Sequence, residues 1–128
     1  MSNDKIKAFT DLKAWQEAHK LAILVYEMTG KLPAKETYAL GDQMRRATSS
    51  VTSNIAEGFG RHSFKEKIQF YYLAQGSLSE LKNQLFLAKD VSYIGGDSFK
   101  SLMDQSDAAH RLLQGLITKS KTFLNRKS

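Results

Sequence analysis

The sequence predicts an all-α fold, four antiparallel helices in up-down-up-down order, and three observations carry that prediction. Apolar residues recur at steps of three and four along nearly the whole chain, the period of a helix with one buried face. Pro33 is the only proline. No stretch alternates apolar and polar residues as a half-buried strand does. A chain of 128 residues suffices for one modest core, so residues 1–128 are expected to form a single domain with short flexible tails at about 1–9 and 125–128.

The first helix is expected to follow an N-cap at Thr10, with Leu12, Trp15, His19, Ala22, Tyr26 and Thr29 along its buried face. Leu21, Leu24, Val25 and Met28 widen that face in its second half, and Gly30 and Pro33 stop it. A second helix is expected from about Glu36 to Gly58 with a stripe of Leu40, Met44, Ala47, Val51 and Ile55. Its remaining surface is rich in Ser, Thr and Ala, which are small, so a neighbouring helix can approach closely. The third helix opens at SFKE, where Ser63 and Glu66 have capping-box spacing, and carries Ile68, Tyr71, Leu78, Leu81, Leu85 and Ala88. The fourth follows YIGGDS with Asp97 as N-cap, and its seam of Phe99, Leu102, Ser106, Ala109, Leu113, Leu116, Ser120 and Phe123 is that of a bundle helix. Short loops between such helices make neighbours antiparallel.

Between the second and third helices lies SVTSNIAEGFGRH, whose Gly58 and Gly60 beside Arg61 and His62 read either as a phosphate cradle or as a helical hairpin. A phosphate loop needs a preceding strand and a Lys-Ser/Thr pair, and both are missing. The hairpin reading is preferred, with the glycines serving a sharp turn.

Composition narrows the chemistry. Cysteine is absent, which excludes disulfides and thiolate metal sites. His19, His62 and His110 fall on three different segments without an H-x-x-x-H or E-x-x-H pair, so no metal, cofactor or catalytic centre is expected. His19, in the expected seam, reads as a hydrogen-bonded core or interface residue. The N-terminal MSNDKIKAFTDLK has no apolar run, so neither a signal peptide nor a membrane anchor is expected, and the cytoplasm is the expected compartment.

QMRRATSSVTSNIAEGFGR (43–61), followed by FYYLAQGSLSEL (70–81) and preceded by DLKAWQEAHKLAILVYEMTGKLP (11–33), resembles the four-helix-bundle family named for the 23S rRNA intervening-sequence proteins. The resemblance covers about Phe9 to Lys121. It implies a left-handed up-down bundle assembling as a ring-like homopentamer. It also implies a genetic setting: members are encoded in inserts within ribosomal RNA genes, and distant relatives serve the reverse transcriptases of diversity-generating retroelements as accessory proteins. The family pattern falls here on Arg45, Arg46, Asn54, Glu57, Gly58, Gly60, Arg61, Gly76 and Glu80, among others.

Asn54 and Glu57, three apart beside a turn, read either as a polar site or as side chains bonded to hairpin backbone and a nearby cation, the second being preferred. Gly76 within a helix costs roughly 1 kcal/mol relative to Ala, which calls for a packing reason inside the bundle or across subunits. Folding the second and third helices back on each other brings Arg45 or Arg46 within one turn of Glu80, so an ion pair is expected there, within or between subunits. Of Tyr71 and Tyr72, one is expected in the core and one outside it.

In an up-down bundle the N-terminus, the turn between the second and third helices, and the C-terminus share one pole. Ten cationic side chains there stand against four carboxylates, so this pole carries a surplus equal to the whole net charge of +6. Arg61, Lys65, Lys67, Lys119, Lys121, Arg126 and Lys127 are the expected phosphate-binding patch. The expected function is a non-catalytic oligomer that binds RNA or DNA backbone without base preference. The alternative is a structural or protein-interaction ring that engages a reverse transcriptase or a ribosome-associated factor.

Overall fold

Rows of Ala, Leu, Val and Met at helical spacing wind four helices around one core, seen in a computed structural model that describes residues 6–127 and, at Lys127, the backbone only. After a short 3-10 turn at Phe9–Asp11 come α1 (Lys13–Thr29), a second 3-10 turn (Ala34–Glu36), α2 (Leu40–Phe59), α3 (Phe64–Asp90) and α4 (Gly96–Lys127). The described residues contain no strand. The helix continues to Lys127 although a tail was expected from about 125, while residues 1–5 of the expected N-terminal tail lie outside the described residues.

The α2 and α3 stripes are buried as expected, and Tyr71 is in the core while Tyr72 is exposed. In α4 the seam holds, with Ile117 taking the deep position beside a half-buried Leu116. Leu12, just before α1, and Leu21, Val25, Met28 and Thr29 within it are buried as expected, but in the first half Ala14 and Ala18 take the inner positions expected for Trp15 and His19, about 100° of helix rotation away. Alanines at 14 and 18 let the neighbouring helices come close, and the larger Trp15, His19 and Tyr26 fall on the flank. His19 is therefore an exposed residue stacked on Trp15, with ring centroids 4.6 Å apart, rather than a seam residue.

Helix ends differ from the expected caps in two places, the starts of α1 and α4. Thr10 lies in the 3-10 turn and caps nothing; the carboxylate of Asp11 accepts the Lys7 and Ala8 N–H groups at 2.9 and 3.0 Å. Leu12 precedes α1 without a side-chain cap. Asp97 sits inside the first turn of α4. Ser63 does cap α3, its hydroxyl accepting the Glu66 N–H at 3.1 Å.

The glycines act otherwise than a sharp turn requires. Gly60 ends α2 with ordinary right-handed φ of −79°, and no described glycine has positive φ. Gly58 is needed for space, since a Cβ there would stand 2.7 Å from the Tyr71 ring. The left-handed residue is Ser92, φ 66°, which closes α3: Ser92 N–H donates to Lys89 O at 2.9 Å and Tyr93 N–H to Ala88 O at 2.8 Å. The Tyr93 hydroxyl then donates to Glu36 at 2.7 Å, tying this turn to the connection before α2. That hydroxyl and the Leu40 N–H hold the Glu36 carboxyl below its usual range.

Candidate functional site

Contacts between side chains of α3 and α4 bring much of the predicted basic patch to one end of the molecule. Phe64, at the start of α3, stacks on Phe123 near the end of α4 with centroids 5.2 Å apart. Lys121 lies over the Tyr72 ring at 5.1 Å and Arg126 over Phe123 at 5.6 Å. Beside them opens a cleft of about 420 Å³ whose lining includes Phe59, Phe64, Lys67, Lys119 and Phe123.

Not every predicted cation is available there. Arg61 pairs with Glu57 at 2.6 Å, one turn back, and its guanidinium covers the Phe70 ring at 4.5 Å. The Lys67 ammonium donates to the Phe59 carbonyl at 2.6 Å, satisfying an oxygen at the α2 C-terminus, where the helix dipole favours a cation. Its partial burial holds its pKa below the ordinary lysine value. These two stabilise the α2–α3 turn instead of presenting free charge. Lys65, Lys119, Lys121 and Arg126 are exposed and have no carboxylate partner within salt-bridge distance among the described residues. The Lys127 side chain lies outside the described residues.

Away from this end several charges pair off, while Lys31, Lys35 and Arg111 are exposed without a carboxylate partner among the described residues. Lys20 meets Glu17 at 3.0 Å, Arg46 meets Asp42 at 3.1 Å, and Lys100 meets Asp104 at 3.0 Å. Lys82 meets Asp107 at 2.9 Å and also lies 2.9 Å from His110 Nδ1. This α3–α4 cluster escaped sequence reasoning. Asp107 and His110 share a face at i, i+3 spacing, but nothing local shows that Lys82 lies opposite. Burial first, and then the Lys82 charge, hold the His110 pKa below its usual value. No group of three or more His, Cys, Asp or Glu positioned for a metal ion occurs among the described residues.

The residues of the family pattern have mostly structural partners. Asn54 donates to the Ser50 carbonyl at 2.9 Å and to the Ser50 hydroxyl at 3.0 Å, and that hydroxyl is 2.8 Å from Ser77 of α3. Glu57 thus has the nearby cation preferred above, Arg61, whereas Asn54 bonds one turn back within α2 and not to the hairpin backbone. Arg45 donates to the Thr37 carbonyl at 2.7 Å. The expected bond from Arg45 or Arg46 to Glu80 does not form within the chain. With Ser50 beside Ser77, position 46 comes level with Leu81; Leu81 points into the core, so Glu80, 100° away, is exposed and contacts Gln84 at 3.4 Å. Gly76 has no packing reason inside the bundle, because a Cβ there would meet nothing within 4 Å.

No described helix is long and apolar enough to cross a membrane. The model of the 23S rRNA-intervening sequence protein family matches residues 10–115. A crystal structure of a Bacteroides thetaiotaomicron protein of unknown function, from the S23 ribosomal protein family, shares the fold. It is 20% identical, with a TM-score of 0.77, over 82% of this chain and 95% of that one. None of the curated proteins matches the sequence.

Proposed function

Because the chain belongs to the family of 23S rRNA-intervening sequence proteins, we propose that it is a non-catalytic bundle, up-down-up-down in helix order, that binds nucleic-acid backbone through its basic pole. The observation that carries this reading is the clustering of unpaired cations at one end. Lys65, Lys119, Lys121 and Arg126 stand exposed without carboxylates at one end; elsewhere Lys20, Arg46, Lys82 and Lys100 each have one, and Lys31, Lys35 and Arg111 do not. Unpaired cations gathered on one surface attract a polyanion, and each phosphate they neutralise releases counterions.

Assembly into a homopentamer is part of the same proposal. It draws support from the family resemblance and from the outer face of α3, where Leu73 and Leu87 are half exposed and Gly76 leaves room for another backbone. A ring would set five basic poles together and multiply a modest single-chain affinity.

Binding of a mixed-sequence RNA and DNA, measured by fluorescence anisotropy across a salt series, tests the reading. Four cations per chain predict a log–log salt slope of about −3 per chain engaged on a single strand. The quadruple variant Lys65→Gln, Lys119→Gln, Lys121→Gln, Arg126→Gln should bind all sequences weakly and with a flat slope while keeping its oligomeric state. Unchanged binding by that variant, or no binding by the parent at low salt, refutes the proposal and favours an interaction module that engages a protein partner.

A further inference from the structure

Beside the four free cations, the cleft at the same pole is lined by aromatic rings. Phe59, Phe64 and Phe123 line it together with Tyr71, which is 2% exposed; Phe64 and Phe123 stack on each other and the Lys67 ammonium lies over the Phe59 ring at 5.4 Å. The cleft's volume of about 420 Å³ lies within the range of small-ligand sites. Two polar groups within it are already committed: the Lys67 ammonium to the Phe59 carbonyl, and the Ser120 hydroxyl to the Leu116 carbonyl at 2.7 Å. Any guest therefore meets an apolar, aromatic interior and finds free charge only at the rim, on Lys119.

That distribution matches one kind of guest. An acyl chain would use the one rim cation, Lys119, and leave Lys121, over the exposed Tyr72, and Arg126, over Phe123, without counter-charge. A nucleotide offers a flat π-surface with phosphates on both sides, which fits an aromatic cleft whose free cations lie outside it. Lys119 is at the rim and Lys121 lies over the neighbouring Tyr72, itself 42% exposed, so charge and ring faces share one surface. Arg126 over Phe123 extends the same pattern. Binding sites for single strands combine these two elements, a basic track and rings on which bases stack. A duplex keeps its bases stacked on one another and has no free base face to insert.

We propose that the pole selects single-stranded nucleic acid, seating one unpaired base in the cleft lined by Phe59, Phe64 and Phe123 while flanking phosphates rest on Lys119 and Lys121. This rests on the backbone-binding reading above and adds that the strand must be unpaired.

The experiment compares three ligands of equal phosphate number at one low salt concentration: a short oligouridylate, the same strand made abasic, and a hairpin duplex. The oligouridylate should bind about ten-fold more tightly than either of the others, the size expected for one stacked base. Phe123→Leu, which keeps apolar bulk and loses the π-face, should bring the ratio of oligouridylate to abasic affinity towards one with helical circular dichroism preserved. Equal binding of native protein to oligouridylate and abasic strand overturns the base-seating proposal while leaving backbone binding in place. If decanoate also competes in that case, the cleft belongs to an acyl chain. Failure of all three ligands to bind refutes the backbone reading itself. The abasic comparison needs no variant, so it decides the matter even if Phe123→Leu misfolds.

Discussion

Gly58→Ala should destabilise the protein although it places a better helix former inside a helix. The added Cβ would stand 2.7 Å from Tyr71 Cε1, 3.0 Å from Tyr71 Cδ1 and 3.1 Å from Phe70 Cβ. Tyr71 is 2% exposed, so its ring cannot swing into solvent, and the α2–α3 pair must part or the ring must displace core neighbours. Overpacking of this kind costs about 1–3 kcal/mol. Alanine in place of glycine returns about 1 kcal/mol of helix propensity. The net loss is therefore up to about 2 kcal/mol, a melting temperature lower by as much as roughly 8 °C for a chain of this size. Gly115→Ala is the matched control, because a Cβ there meets nothing within 4 Å on exposed α4 and only the propensity gain of about 1 kcal/mol remains. Thermal melts followed by circular dichroism at one protein concentration should show opposite signs for the two variants. If Gly58→Ala melts at or above the parent temperature, the close approach to Tyr71 is not what requires glycine at 58.

Three further outcomes are expected. Ser92→Gly removes the cost of a left-handed non-glycine residue and should raise stability by about 1 kcal/mol in urea titration, since no described side-chain bond of Ser92 is lost. Burial raises the Tyr71 pKa from 10.0 to about 12, so the folded state keeps a proton that the unfolded state releases. That contribution is complete below pH 10 and is lost as pH rises towards 12; Tyr71→Phe should shift alkaline unfolding upward. Lys67, with its depressed pKa, works in the opposite direction over the alkaline range below 10.5. Gly76→Leu should leave the helical signal intact, as the site is open within the chain, and should dissociate the proposed ring in sedimentation velocity; an unchanged sedimentation coefficient would remove α3's outer face from the subunit contact.

Helix number, approximate helix ends and the buried stripes of α2 and α3 were legible in the sequence because each depends on a period repeated within a few turns. A cation beside Glu57 was legible for the same reason, Arg61 being four residues away, whereas the Ser50 partner of Asn54 was not foreseen. Rotation of α1 was legible only in its second half: Leu21, Val25 and Met28 belong to the expected face, but Trp15 and His19 were placed there too, and only close packing through alanines 14 and 18 turned them to the flank. The role of glycine was not legible, for Gly58 answers to the Tyr71 ring 13 residues away and the left-handed position fell to Ser92 although Gly95 and Gly96 follow close behind. Charge shows the division most clearly. The sequence by itself determined that the basic residues concentrate near the two termini and the middle turn. Which of them are free was decided by tertiary structure, which turned Lys67 onto the Phe59 carbonyl and laid Arg61 over Phe70, because the partner of a charge depends on distances between helices that no local pattern encodes.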